Sequence, residues 1–139
     1  MKVIIINGPN LNLLEDRNSD VYGDMSFEAY YSELIKQFSD IDIDYYQSNI
    51  EGELINKMQN ADNSYDYIIL NAGGYTHTSV AIADCIEAIS TPVIEVHISN
   101  IYAREEFRHK SLLSAYCVGC VVGLGLHGYK LAIEHIISK

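Results

Sequence analysis

The sequence predicts an α/β domain: a five-stranded parallel sheet covered on both faces by helices, in the flavodoxin-like three-layer α/β/α arrangement with strand order 2-1-3-4-5. Three observations carry this. Short runs alternate with amphipathic helical patterns; four of the five runs are rich in β-branched and aromatic residues and short enough for strands buried on both faces; and polar, mostly glycine-containing segments follow several of the runs. The chain of 139 residues is expected to be one domain, 1–139, large enough to bury a core without disulfides or metal.

In order, residues 3–7 form the first strand. The connection 8–25 has no clear periodicity, and a loop of that length in a compact domain is expected to be a lid or binding loop. Ser26 can cap a helix that carries Phe27, Tyr30, Tyr31, Leu34, Ile35 and Phe38 at three-to-four spacing. Residues 41–47 (IDIDYYQ) alternate more than the other runs, as an edge strand does. Leu54, Ile55 and Met58 mark a helix over about 51–61, followed by a strand at 67–71. Val80, Ala81, Ala83, Ile86 and Ile89 mark the third helix, and 92–98 the fourth strand. A short helical turn is expected around 104–107, then a strand at 117–122 and a last helix carrying Tyr129, Leu131, Ala132, Ile136 and Ile137.

The formal net charge of −10 argues against a nucleic-acid partner, which would require a basic patch. Residues 1–70 hold thirteen acids and four bases, residues 71–139 six and five. An anionic ligand would therefore have to be held locally, by the only three arginines, Arg17, Arg104 and Arg108, and by histidines. The apolar start is shorter than an export signal, and no run approaches the roughly twenty apolar residues of a membrane helix. With three cysteines, an odd number, the expectation is reduced thiols, a cytoplasmic location and no membrane partner. Cys117 and Cys120 match C-x-x-C, but lie in an apolar run without a second ligand pair, so a structural role is expected.

In doubly wound sheets the site lies at the carboxyl ends of the strands. Applied here, that rule selects three polar segments: 7–12 after the first strand, 71–79 after the third, and 95–100 with Arg104 and Arg108 at the fourth. Glu95 and His97, two apart on a strand, share a face, so the carboxylate can orient the imidazole. His77 lies between Thr76 and Thr78 just before a helix start, where backbone donors gather. Tyr22 stands in the lid, five residues beyond Arg17. A cation about 4 Å away, at an effective dielectric near 20, supplies at most about 4 kcal/mol, or roughly three pKa units, enough to bring a tyrosine towards use as a base. Arg104 and Arg108, four apart, would share a face of a helical turn and could grip a carboxylate, or pair with Glu105.

His109, His127 and His135 read as surface or packing residues. The literal G-x-G-x-x-G at 123–128 follows the last strand, with no acid at ribose-binding distance, and reads as tight packing of the final turn. No metal-ligand pattern is visible, so neither metal nor cofactor is expected. A receiver domain would need Asp where Asn7 and Asn71 stand, and a flavin binder a Ser/Thr-rich loop where Gly8-Pro9-Asn10 stands.

GPNLNLL at 8–14 with Arg17 and Tyr22-Gly23, QSN-x-EGEL at 47–54, LNAGGYTHTSVAIAD at 70–84, EVHISN at 95–100, REEFRHKS at 104–111 and GLGLHGYKLA at 123–132 resemble the type II 3-dehydroquinate dehydratases, in order and over nearly the whole chain. The resemblance implies a hydro-lyase of the shikimate pathway that converts 3-dehydroquinate to 3-dehydroshikimate through an enolate, without cofactor or metal. It implies Tyr22 as the proton acceptor, with Arg17 lowering its pKa and stabilising the transition state. Asn10 would hold the water at the enolate oxygen, and His97 would be the proton donor with Glu95 behind it. Substrate binding would fall to Asn71, His77, Ile98, Ser99 and Arg108, with Gly73, Gly74 and Arg104 beside them and Asp84 reaching a neighbouring subunit's site. The implied assembly is a homododecamer, a tetramer of trimers. The chain departs from the family's usual pattern at Glu15 and Ser19 in the lid, and at Ile50.

Overall fold

The computed structural model describes residues 1–16 and 25–139; Arg17, Ser19 and Tyr22 lie outside the described residues. Five strands, β1 (Lys2–Asn7), β2 (Asp42–Gln47), β3 (Tyr67–Asn71), β4 (Val93–His97) and β5 (Gly119–Val122), form one sheet in the order β2-β1-β3-β4-β5. Every pairing is parallel. Four α-helices are described: α1 (Phe27–Gln37), α2 (Glu51–Ala61), α3 (Val80–Ala88) and α4 (His127–Ile137). The alternating strand β2 is indeed an edge.

The period of two along each strand divides the core between the faces. Val3, Ile5, Ile69 and Val96 meet α1 through Phe27 and Leu34, and α4 through Tyr129, Ile133 and Ile136. Ile4, Ile6, Ile68 and Leu70 meet α2 through Leu54 and Met58, and α3 through Ile82 and Ile86. Ser26 caps α1, its Oγ accepting the Ala29 N–H at 3.2 Å, and Ser79 caps α3 through the Ile82 N–H at 2.9 Å. The residue capping α2 is Ile50, which offers no side-chain acceptor; Glu51 and Glu53 in the first turn complement the helix dipole instead.

Three expectations are corrected. Ile35, Val80 and Ile137, read as parts of apolar stripes, are exposed, because each lies at the margin of a face whose centre is already filled by neighbours such as Leu34 and Ile136. The helical turn over 104–107 is replaced by two 3-10 turns, Ile101–Ala103 and Glu106–Arg108, with Arg104 extended between them (φ −112°, ψ −163°). The four-residue spacing of Arg104 and Arg108 is therefore not a helical face. Finally, the strand expected over 117–122 starts at Gly119, leaving Cys117 ahead of it.

In the G-x-G-x-x-G segment, Gly123 takes a positive φ (+85°), and a Cβ at Gly128 would lie 3.3 Å from Val121 and 3.4 Å from Val96, the tight approach expected of a packing turn. A sharper constraint sits at the end of β1, where a Cβ on Gly8 would fall 2.6 Å from the Ala72 carbonyl oxygen. That neighbour is backbone of the next strand's exit and cannot rotate away. Gly8→Ala is expected to lower the unfolding free energy by about 1–3 kcal/mol, the usual cost of overpacking, read as a reduced urea midpoint at unchanged slope.

Candidate active site

The carboxyl ends of β1, β3 and β4 come together because Asn7 and Asn71 are register partners and Leu70 lies beside Glu95. A cleft of about 140 Å³ opens there. Pro9, Asn10 and Leu11 line it from the β1 exit; Asn71, Gly73, Gly74 and His77 from the β3 exit; and His97, Ile98, Ser99, Ile101, Arg104 and Arg108 from the β4 exit. Ten of the predicted site residues are thus gathered in one place. Glu95 lies beneath His97 and does not line the cleft, and Asp84 is exposed on α3, away from it. No tyrosine or lysine lines the cleft among the described residues.

His97 and Glu95 are buried, with 5% and 0% exposure. The imidazole Nε2–H donates to Glu95 Oε2. An ionised carboxylate can only accept, so this contact fixes the tautomer and leaves Nδ1 without a described partner. Burial pushes the Glu95 carboxyl up, but hydrogen bonds from His97, Ser114 and Ser111 and the His97 charge outweigh it and hold the group below its ordinary range. Glu95 therefore stays ionised, ready to stabilise a second proton on His97.

The His77 ring lies 6.3 Å from that of His97, nearly parallel at 21°. Its Nδ1 is 2.8 Å from the Lys110 carbonyl oxygen, which can only accept, so Nδ1 carries the proton and Nε2 is an acceptor. Burial lowers the His77 pKa by more than the hydrogen bond to the Lys110 carbonyl raises it, and the Arg108 charge adds to the lowering, so the ring is a neutral partner for a hydroxyl. Arg104 Nη1 donates to Ser99 Oγ at 3.2 Å, and Arg108 Nε to Glu105 Oε2 at 3.0 Å. Both arginines face the cleft, so its walls are positive although the protein is strongly acidic overall.

Asn10 takes a left-handed conformation (φ +71°), its N–H donating to Asn49 Oδ1 at 3.0 Å. Asn71 is held on both ends of its amide: Oδ1 accepts the Gly73 N–H at 3.2 Å, and Nδ2 donates to Tyr129 Oη at 2.9 Å. Tyr129 Oη donates in turn to Asn7 Oδ1 at 2.8 Å. Tyr129 was expected only as a core residue. Tyr129→Phe strands one donor and one acceptor in a fully buried place, and is expected to lower stability by about 2–4 kcal/mol in urea unfolding.

Sequence reasoning missed three more groups. Ser111 and Ser114 reach the Glu95 carboxylate, and Cys120, the register partner of Glu95, completes a group with Glu95 and His97 whose ligand-type atoms lie within 4.8 Å of one another. The metal-ligand patterns sought in the sequence do not include this group: parallel register places Cys120 beside Glu95 across strands, which linear spacing does not show. As the side chains stand, a proton joins His97 to Glu95, and the Cys120 thiol, pushed up to about 11 by burial and by Glu95, is a neutral neighbour.

A doubly wound α/β fold with a histidine–carboxylate pair and two arginines at one strand-end cleft defines an enzyme acting on a small anionic molecule. The model of the family described as Dehydroquinase class II matches residues 1–137. The 3-dehydroquinate dehydratase of an Exiguobacterium species is 51% identical over 139 residues, covering 99% of this chain and 95% of that protein. The enzyme of the same name from Campylobacter jejuni is 50% identical over 140 residues, covering 99% and 88%. The crystal structure of type II dehydroquinase from Butyrivibrio crossotus superposes with a TM-score of 0.94 at 44% identity, covering 99% of this chain and 97% of that one. The chain belongs to the class II dehydroquinase family.

Proposed function

We propose that this chain removes water from 3-dehydroquinate to give 3-dehydroshikimate, the third step of chorismate and aromatic amino acid biosynthesis, and that it does so by an anti elimination through an enolate. The observation that carries the reading is the buried Glu95–His97 pair opening on a cleft walled by Arg104 and Arg108, in a member of this family.

The roles are those that the family resemblance implies, and the chemistry agrees with them. The C2 proton lies next to a ketone, so its removal places charge on the carbonyl oxygen, where neutral or positive donors are needed. Tyr22, with its pKa lowered by Arg17, takes that proton. Asn10 holds the water that donates to the enolate oxygen. Hydroxide is a poor leaving group, so the enolate collapses only as the C1 hydroxyl receives a proton. His97 supplies it from Nδ1, the C1–O bond breaks, the C1–C2 double bond forms and water departs. Asn71, His77, Ile98, Ser99 and Arg108 bind the carboxylate and hydroxyls of the substrate, with Gly73, Gly74 and Arg104 shaping the wall. A Schiff-base route would need a lysine in the site, and none of the six lysines lines the cleft.

Asp84 serves a neighbouring subunit's site in a dodecameric tetramer of trimers. Its exposure on α3, next to the equally outward Val80, supports that reading. Cytoplasmic location fits the three free cysteines; no described helix is long and apolar enough to cross a membrane. The test is direct: the purified protein incubated with 3-dehydroquinate is expected to produce the enone absorbance of the product, and no product at saturating substrate would overturn the assignment.

A further inference from the structure

Glu95 carries its charge with no exposed surface, so its ionised form depends on donors. Besides His97 there are two. Ser111 Oγ lies 3.1 Å from Oε1 and 3.0 Å from Oε2, and Ser114 Oγ lies 2.5 Å from Oε1. The Ser111 oxygen also accepts the N–H groups of Leu113 and Ser114, each at 3.1 Å. Its lone pairs are thus occupied by backbone, and its single proton is aimed at the carboxylate and shared between the two oxygens. Neither serine lines the cleft.

We propose that Ser111 and Ser114 are positioning residues of the dehydration: they keep the proton shared by the Glu95–His97 pair on the imidazole, and so keep His97 loaded as the acid with Nδ1 free for the substrate. The physical cause is selective. A hydroxyl donor stabilises the carboxylate and does little for the neutral carboxylic acid. With both serines in place the carboxylate form of Glu95 is favoured and the shared proton stays on Nε2. Without them the proton gains by moving from Nε2 to Oε2, and the Nδ1 proton must then leave a neutral ring, a far weaker acid than a ring that keeps both protons. The depressed Glu95 carboxyl agrees with this account.

Other groups facing the pair do not take over the task. Cys120 on β5 and Cys117 just ahead of it are pushed up by burial, to about 11 and about 12, and stay neutral. His77 from the 3-10 turn Gly73–His77 is pushed down by burial and is neutral as well. Among the described residues, the charged neighbours left are Arg104 and Arg108, which serve the cleft.

The proposal rests on the dehydratase reading, and its test separates the two. Ser114→Ala, Ser111→Ala and Ser114→Thr are compared with the wild type by the pH profile of kcat and by the ¹³C carboxyl resonance of Glu95 in the free protein. In Ser114→Ala both the carboxyl titration and the acid limb of kcat are expected to move up by about one pH unit, a tenfold change in proton affinity. With that, kcat falls roughly tenfold and KM stays within about twofold, the split of an interaction used in the transition state. Ser114→Thr keeps the hydroxyl and restores both. A Glu95 titration and an acid limb in Ser114→Ala that coincide with the wild type would overturn the proposal. Because Ser111 also receives two backbone N–H groups, Ser114→Ala decides the matter if Ser111→Ala does not fold. A wild type without turnover overturns the dehydratase reading alone, and the carboxyl titration still decides whether the serines hold the pair's proton.

Discussion

His97→Ala is expected to lower kcat by roughly 10²- to 10⁴-fold, the range a positioned general acid contributes. The C1 hydroxyl then has to leave without a proton, and water entering the vacated space cannot reproduce the arrangement. In the native site Nε2 is tied to an ionised carboxylate and Nδ1 is the remaining position for a proton. An ammonium or imidazolium buffer ion lacks that orientation and would restore little. KM is expected to change far less than kcat, because Asn71, His77 and Arg108 still line the cleft. The fold is expected to survive the change with some loss of stability, because Glu95 retains its two serine donors. Steady-state kinetics beside circular dichroism check this, and near-normal turnover in a folded variant would remove His97 from its proposed role.

The second large effect concerns the base. Tyr22→Phe is expected to cost a similar roughly 10²- to 10⁴-fold in kcat, since a phenyl ring cannot accept the C2 proton. The described tyrosines show what a tyrosine base has to overcome. Burial pushes Tyr30, Tyr45 and Tyr65 up to about 12, the last with help from Asp44, the wrong direction for a base at neutral pH. None of them lines the cleft. Arg17→Ala would test the lowering: without the cation the Tyr22 pKa rises, so the limb of the profile that requires the deprotonated phenol moves to higher pH, by at most about three units. An unshifted limb in Arg17→Ala, or full turnover in Tyr22→Phe, would sink the assignment.

The arginines resolve the tension between an acidic protein and an anionic substrate. Overall charge describes repulsion at a distance, screened within about 10 Å at ordinary ionic strength. At contact range the cleft offers Arg104 and Arg108, the neutral His77 and the amide of Asn71. Arg108 is also paired with Glu105, the surface partner that its spacing suggested, and it lines the cleft all the same.

Much of the molecule is legible from residue order alone. Apolar runs and one alternating run were enough for the sheet and its edge β2, because burial on one or two faces leaves its mark along each strand, and the doubly wound arrangement of five such strands supplied the order β2-β1-β3-β4-β5. The strand-end rule then selected the segments that form the cleft, and the period of two paired Glu95 with His97. Tertiary structure alone decided what surrounds that pair. Ser111 and Ser114 meet Glu95 from 16 and 19 residues away, Cys120 arrives by strand register, and Tyr129 bridges Asn71 and Asn7 across 58 and 122 residues. The arginines converge through two 3-10 turns, not through helical spacing. Periodicity records which face a residue shows to the core, an averaged and local property. Satisfying one buried charge is a matter of a few directed bonds, and the residues that make them are neighbours only after the chain has folded.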